Sequence, residues 1–238
     1  MEDQAEGSPR HPQLPLAIHL RDDATFSNFL ALAGVEPVLR TLHCQANSDG
    51  EPVVYLYGPA GSGKSHLLQA CCHESAAAAV YLPLALLREY PAIEVLQGVG
   101  DLDRVCIDDI HAVLGDDRWE AALFTLYNNA RARGCRLVLA GNAAPRALAV
   151  NLADLRSRLS WGIVYQLEQG DDADKAAILQ FRAQRRGLTL SEGVATYIVS
   201  RAPRAMDQLL RLLDELDDAS LSRQRALTIP FVKEILGW

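Results

Sequence analysis

Residues 53–65 read Val53-Val54-Tyr55-Leu56-Tyr57-Gly58-Pro59-Ala60-Gly61-Ser62-Gly63-Lys64-Ser65. The first five are β-branched, aliphatic or aromatic, with no polar residue at alternate positions. Such a run predicts a strand covered on both faces. The next eight fit GxxxxGK[ST] completely. Gly58, Gly61 and Gly63 let backbone N–H groups turn toward phosphate oxygens without a Cβ in the way, and Pro59, Ala60 and Ser62 complete the loop. A helix opening after Gly63 adds its partial positive charge. Lys64 is then placed to neutralise β- and γ-phosphate charge, and Ser65 to ligate Mg²⁺. Only three of the 23 cations are lysines (Lys64, Lys175 and Lys233), so a lysine at position 64 stands out in an arginine-preferring chain.

Outward from this loop, helical and extended patterns alternate. Helical periodicity is expected over 63–74, 84–97 (broken), 116–133 and 152–161, and strands over 79–82, 104–108, 136–140 and 163–167. Continuous apolar strands separated by helices predict an α/β phosphate-loop domain with a parallel five-stranded sheet and right-handed crossovers. A further helix is expected upstream over 31–46. After Gly170 the pattern becomes helical only, over 171–186, 191–201 and 204–221. In the last of these Met206, Leu209, Leu210, Leu213 and Leu216 form one apolar stripe. A short final helix carries Pro230 in its first turn. The expected organisation is a tail at 1–20, an α/β nucleotide-binding domain at 21–167 and a small α-helical lid at 168–238.

Composition bounds the function. In 238 residues, 49% are hydrophobic and 22% charged, which excludes disorder as the main state. The longest apolar stretch, 76–87, is short of the roughly 20 residues a helical span needs and carries Pro83. The polar, acidic start MEDQAEGSPRHPQ lacks the basic and apolar parts of a signal peptide, so a cytoplasmic address is expected. A net charge of −7 argues against a stand-alone duplex binder and for little direct nucleic-acid contact. Five cysteines without a CxxC pair suggest small buried hydrophobes rather than zinc or disulfides.

Three further stretches carry chemistry. Residues 104–109, RVCIDD, form a strand that delivers Asp108 to the carboxyl edge of the sheet, where ligands of open α/β sheets bind. There Asp108 is expected to hold Mg²⁺ through water, and Asp109 is a candidate to orient an attacking water. At the end of the fourth strand, the amide of Asn142 is a candidate for the γ-phosphate or its water. Arg156 and Arg158 lie near a helix end, and their planar, permanently charged forks suit phosphate. His66 is expected to cap or pack, and Trp161 and Trp238 to serve in packing or at an interface.

This constellation resembles the AAA+ nucleotide-binding proteins and, more closely, the replication initiator DnaA. The carrying segments are GPAGSGKSHLLQA at 58–70, CIDDIHAV at 106–113 and DLRSRLSWG at 154–162, within a likeness running from about Thr25 to the end. The segment QLPLAI at 13–18 resembles a sliding-clamp-binding peptide, and LTIPFVKEIL at 227–236 resembles a family ending. An initiator's helix-turn-helix domain is not expected, since the resemblance runs out at Leu236-Gly237-Trp238. A clamp peptide, an initiator-like core and no DNA-binding domain together resemble the Hda family of DnaA regulators.

The resemblance implies a function: inactivation of DnaA by promoting hydrolysis of its bound ATP, together with the DNA-loaded sliding clamp (the β subunit of DNA polymerase III). It implies that Lys64, Ser65 and Asp108 bind nucleotide and Mg²⁺, with ADP expected over ATP, and that Arg158 enters the nucleotide site of a DnaA neighbour. Gln13, Leu14, Leu16 and Ile18 become the clamp contacts; Pro15 and Ala17 depart from commoner forms. The family's nucleotide-sensing arginine aligns with Asp207, a carboxylate that repels phosphate. Arg204, one helical turn earlier, is the candidate substitute, and weak intrinsic turnover is expected. Self-association is compatible with the resemblance. The alternative is an active AAA+ ATPase, such as a helicase loader or transposase helper.

Overall fold

The structure is a computed structural model that describes residues 19–45, 50–75 and 78–238. Five strands, β1 (Val53–Tyr57), β2 (Ala79–Pro83), β3 (Arg104–Asp108), β4 (Arg136–Gly141) and β5 (Ile163–Gln166), form one sheet in the order β2-β3-β4-β1-β5. Every pairing is parallel. Alternate residues feed two cores, as a doubly covered sheet requires. Val53 and Tyr55 of β1, Val105 and Ile107 of β3, and Leu137 and Leu139 of β4 face one cluster. Val54, Leu56, Cys106, Val138 and Ala140 face the other.

Helices α1 (Glu36–Gln45) and α2 (Lys64–Glu74) cover the second face through Val38, Leu42, Leu67 and Leu68. On the first face lie α3 (Leu84–Leu87), α4 (Ala92–Leu96), α5 (Asp117–Arg133) and α6 (Ala153–Leu159). Helix α5 begins where the Asp116 side chain accepts from the N–H groups of Arg118 and Trp119, and it ends at Gly134, with φ 75°. The last four helices, α7 (Asp172–Arg185), α8 (Glu192–Arg201), α9 (Met206–Arg223) and α10 (Ile229–Leu236), close around their own core of Leu179, Ile198, Leu209, Leu213, Leu216 and Phe231. Asp171 and Asp174 cap α7 reciprocally. No helix among the described residues is long and apolar enough to cross a membrane.

Several elements differ from the sequence expectation. Helix α1 starts at Glu36 rather than near Ala31, because Gly34 takes a left-handed turn at φ 85°. Helix α6 covers only 153–159, because the N–H groups of Asn151 and Leu152 are bound by Glu120. Helix α9 starts at Met206 after an extended Ala205, so Arg204 lies on the connecting turn rather than one helical turn back from Asp207. Four cysteines are buried as expected, but Cys44 is exposed. The clamp-peptide residues Gln13, Leu14, Leu16 and Ile18 lie outside the described residues.

Candidate functional site

The loop after β1 needs its glycines for two different reasons. A Cβ on Gly58 would stand 2.1 Å from the Leu167 carbonyl oxygen, a contact no side chain makes. Gly61 and Gly63 sit at φ 79° and 93°, in the left-handed region that glycine alone adopts without cost. Gly63 immediately precedes α2, and a Cβ there would run into the Phe29 ring at 2.8 Å. Lys64 is buried, and its ammonium donates to the carbonyl oxygens of Gly58 (2.8 Å) and Pro59 (2.7 Å) and to Ser62 Oγ (3.3 Å). Burial pushes its pKa down, while Asp108 and Asp109 pull it back up. Ser65 is exposed at the start of α2.

Asp108 ends β3 fully buried. One carboxylate oxygen accepts from the Tyr81 hydroxyl of β2 at 2.7 Å, and the other from the Asp109 N–H at 2.9 Å. Tyr81 was not singled out from the sequence, because only the register explains it. Pro83 pairs with Asp108 and Tyr81 with Cys106, so Tyr81 and Asp108 are diagonal neighbours on one face. Asp109 adopts a left-handed conformation, φ 51°. Its carboxyl is raised above the usual range by burial, then by the adjacent Asp108. Asn142 is exposed just beyond β4, in a turn set by Tyr55, whose hydroxyl donates to Ala143 O at 3.1 Å. The structure thus brings Lys64, Ser65, Asp108, Asp109 and Asn142 to the carboxyl edge of three strands. A cation, a helix N-terminus, left-handed glycines and a fixed carboxylate fit a nucleotide's phosphates with Mg²⁺.

The lid reaches this edge. A Cβ on Gly61 would lie 3.8 Å from the Met206 nitrogen, so the start of α9 abuts the loop. Asp207 accepts from Arg211 one turn later at 2.9 Å, and a carboxylate in a first turn also complements the helix dipole. Arg204 is exposed and has no hydrogen-bond partner among the described residues. Sequence reading also missed a strap at residues 21–29. His66 Nε2 donates to Thr25 O at 2.8 Å, and the Phe29 ring packs on the imidazole. From the lid, buried Arg182 donates to Asn28 O at 3.2 Å and pairs with Asp23. The strap therefore ties α7 to α2 across the phosphate loop.

Arg158 stands at the opposite edge of the sheet. It lies in the last turn of α6, and its guanidinium carbon lies 4.1 Å from the Trp161 ring centre and 5.9 Å from that of Phe124. Gly162, next to Trp161, abuts Val53 at the start of β1, whereas the phosphate loop follows the end of β1. At about 3.3 Å per residue the five-residue strand holds the two edges about 16 Å apart. Arg158 is thus remote from its own phosphate loop and lies half-buried at the other edge, stacked on Trp161. Arg156 is folded back, donating to Val150 O.

Glu120 sets where α6 begins. Nearly fully buried on α5, it accepts from the N–H groups of Gly115 (2.8 Å), Asn151 (3.0 Å) and Leu152 (2.6 Å). Burial works to raise its pKa, but these three donors prevail and hold it below the usual carboxylate range. Replacing Glu120 by alanine strands three donors, for an expected loss of about 3 kcal/mol in unfolding free energy. Glu120→Gln keeps one acceptor oxygen and loses less. Because the folded-state pKa is depressed, the contribution is complete above 4.5, the ordinary value, and fades as pH falls below it. Urea titrations at pH 7 and pH 4 check both statements, and the pH 4 deficit of the wild type should shrink in Glu120→Gln.

A parallel sheet with a glycine-lysine phosphate loop, an acidic strand end and a helical lid defines an AAA+-type nucleotide-site protein. Residues 172–236 match the family model "Hda, lid domain", and residues 84–166 match "Bacterial DnaA ATPase domain". An uncharacterized protein of Haemophilus influenzae is 42% identical over 229 residues, covering 94% of this chain and 98% of its own. Domain III of DnaA from Thermotoga maritima superposes with a TM-score of 0.76 at 20% identity, over 92% of this chain and 98% of its own. AMPPCP-bound DnaA from Aquifex aeolicus gives 0.68 at 21% identity, over 87% and 69%. The chain belongs to the Hda-like, DnaA-related AAA+ family.

Proposed function

We propose that this protein inactivates a DnaA-type initiator by lending Arg158 to the initiator's ATP site. The observation that carries the reading is the placement of Arg158 at the sheet edge opposite the chain's own phosphate loop. A pocket at one edge and an arginine at the other suit a head-to-tail contact, in which each subunit completes its neighbour's site. Arg158 then stabilises charge building on the transferring phosphoryl group of DnaA-bound ATP. The solved relative bound to AMPPCP supports a nucleotide in this family's pocket.

In this chain Lys64, Ser65 and Asp108 would hold an adenine nucleotide, ADP at rest, with Mg²⁺. The bound nucleotide supplies order to the interface between sheet and lid. Asp207 beside the loop, where a carboxylate repels phosphate, leaves the chain's own site poor at turnover. The α/β part at 21–167 carries the nucleotide and the arginine, and the lid at 168–238 closes over the loop. The tail at 1–20 docks on the DNA-loaded sliding clamp through Gln13, Leu14, Leu16 and Ile18, an amide anchor followed by apolar side chains that fill a groove.

The test is a DnaA-ATP hydrolysis assay with this protein, with and without clamp loaded on DNA. Hydrolysis should rise only when protein and loaded clamp are both present. Stimulation that ignores the clamp removes the tail from the reading, and no stimulation under any condition removes the reading itself. Gln13→Ala with Leu14→Ala should abolish clamp pull-down and leave the thermal unfolding midpoint unchanged.

A further inference from the structure

Around Trp161 the molecule gathers hydrogen-bond donors without acceptors. The guanidinium carbons of Arg158 and Arg131 lie 4.1 and 4.9 Å from the Trp161 ring centre. One guanidinium nitrogen of Arg158, Nη1, is buried and has no partner among the described residues. The hydroxyl of Tyr127, a residue only 4% exposed, is likewise buried and unpartnered. That phenol is pushed up to about 12 by burial, with Arg158 and then Arg131 pulling the other way, so both cations are near it. Arg133, two residues along α5, pairs with Asp101, whereas Arg131 and Arg158 have no acidic partner among the described residues.

Beside these groups a cleft of about 250 Å³ opens between the end of α5 and the turn into β5. Pro52, Val53, Leu137, Tyr127, Arg131 and Trp161 line it. Trp161 is half exposed there. A buried donor without an acceptor costs free energy, so the cluster favours whatever brings an anionic oxygen. The apolar walls select the form of that anion: a side chain whose methylene stem packs on Trp161 and Pro52 fits better than a fully hydrated free phosphate.

We infer that this cleft receives a carboxylate side chain of the ATP-loaded initiator, taken by Arg131 and the Tyr127 hydroxyl against the Trp161 ring. The assignment rests on the proposed trans role of Arg158 and extends it. The chain lends an arginine to the neighbour's nucleotide and takes an acidic anchor from the same face of that neighbour. Arg131 and Tyr127 then set how tightly the complex forms, and Arg158 sets how fast hydrolysis runs within it.

The experiment titrates DnaA-ATP hydrolysis, with DNA-loaded clamp, against this protein and reads the half-saturating concentration. In parallel, interferometry measures binding to DnaA loaded with AMPPCP. Arg131→Glu should raise both the half-saturating concentration and the dissociation constant about tenfold or more. Tyr127→Phe, which removes only the hydroxyl, should raise both about three- to fivefold. Arg118→Glu, the same charge reversal at the other end of α5, should leave both at wild-type values. Wild-type values for Arg131→Glu and Tyr127→Phe overturn the assignment. So does an Arg131→Glu defect confined to self-association, since the occupant is then a second copy of this chain. If the wild-type protein neither binds nor stimulates DnaA, the functional reading falls and the anchor with it. A working wild type beside an unaffected Arg131→Glu removes the anchor alone.

Discussion

Arg158→Ala should reduce stimulation of DnaA-ATP hydrolysis by about 10³-fold or more, the range that trans arginines contribute to phosphoryl transfer. The loss is expected in the plateau rate, because in the proposed role the guanidinium acts on charge that develops only in the transition state. Arg158→Lys should recover little: an ammonium is a single point charge and lacks the planar fork that spans two oxygens. The fold should tolerate the change. Arg158 makes no ion pair among the described residues, and its stacking on Trp161 and Phe124 is worth about 1 kcal/mol at a half-exposed site. Clamp pull-down should stay at the wild-type level because the proposed clamp contacts belong to a different stretch of sequence, and ADP binding because the phosphate loop follows the other end of β1. Full stimulation by Arg158→Ala, with its folding verified, would remove the trans arginine from the proposal.

The second large effect is expected from Lys64→Ala, which should weaken ADP binding by about 100-fold, the worth of charge-assisted hydrogen bonds to phosphate. The same substitution frees the carbonyl oxygens of Gly58 and Pro59, now held at 2.8 and 2.7 Å, so the loop loses an internal brace as well as its charge. Thermal unfolding with and without ADP separates the two consequences. In the wild type, ADP at 100 times its dissociation constant should add about 2.7 kcal/mol, and in Lys64→Ala that increment should nearly vanish. An increment that survives intact would show that the lysine serves the loop rather than the ligand. Hydrolysis assays on the same variant then tell whether the proposed inactivation of DnaA needs a nucleotide bound to this chain.

Much of the nucleotide site was legible because it is local. The spacing from Gly58 to Ser65 dictates a loop whatever surrounds it, and the apolar run ending at Asp108 can only deliver that carboxylate to a strand end. The lid was legible from the helical stripe Leu209-Leu213-Leu216, all buried in its core. The misread boundaries have separate causes. Gly34 turned left-handed where a helix was expected to continue, and Ala205 stayed extended, which left Arg204 off the helix and made Asp207 a first-turn residue. The residues missed altogether act on partners distant in sequence. Tyr81 holds Asp108 from 27 positions away, Glu120 binds Leu152 from 32, and Arg182 reaches Asp23 from 159.

The sequence by itself determined that this chain carries a phosphate loop on a buried strand, an acidic strand end and a separate helical lid. Each is written in contiguous residues and short periods. Only the tertiary structure decided that β4 lies between β1 and β3, that a strap ties lid to loop, and that Arg158 shares Trp161 with Arg131 at the far edge. Those arrangements depend on strand order and register. These are set by how side chains from distant segments pack, and no one-dimensional pattern records that.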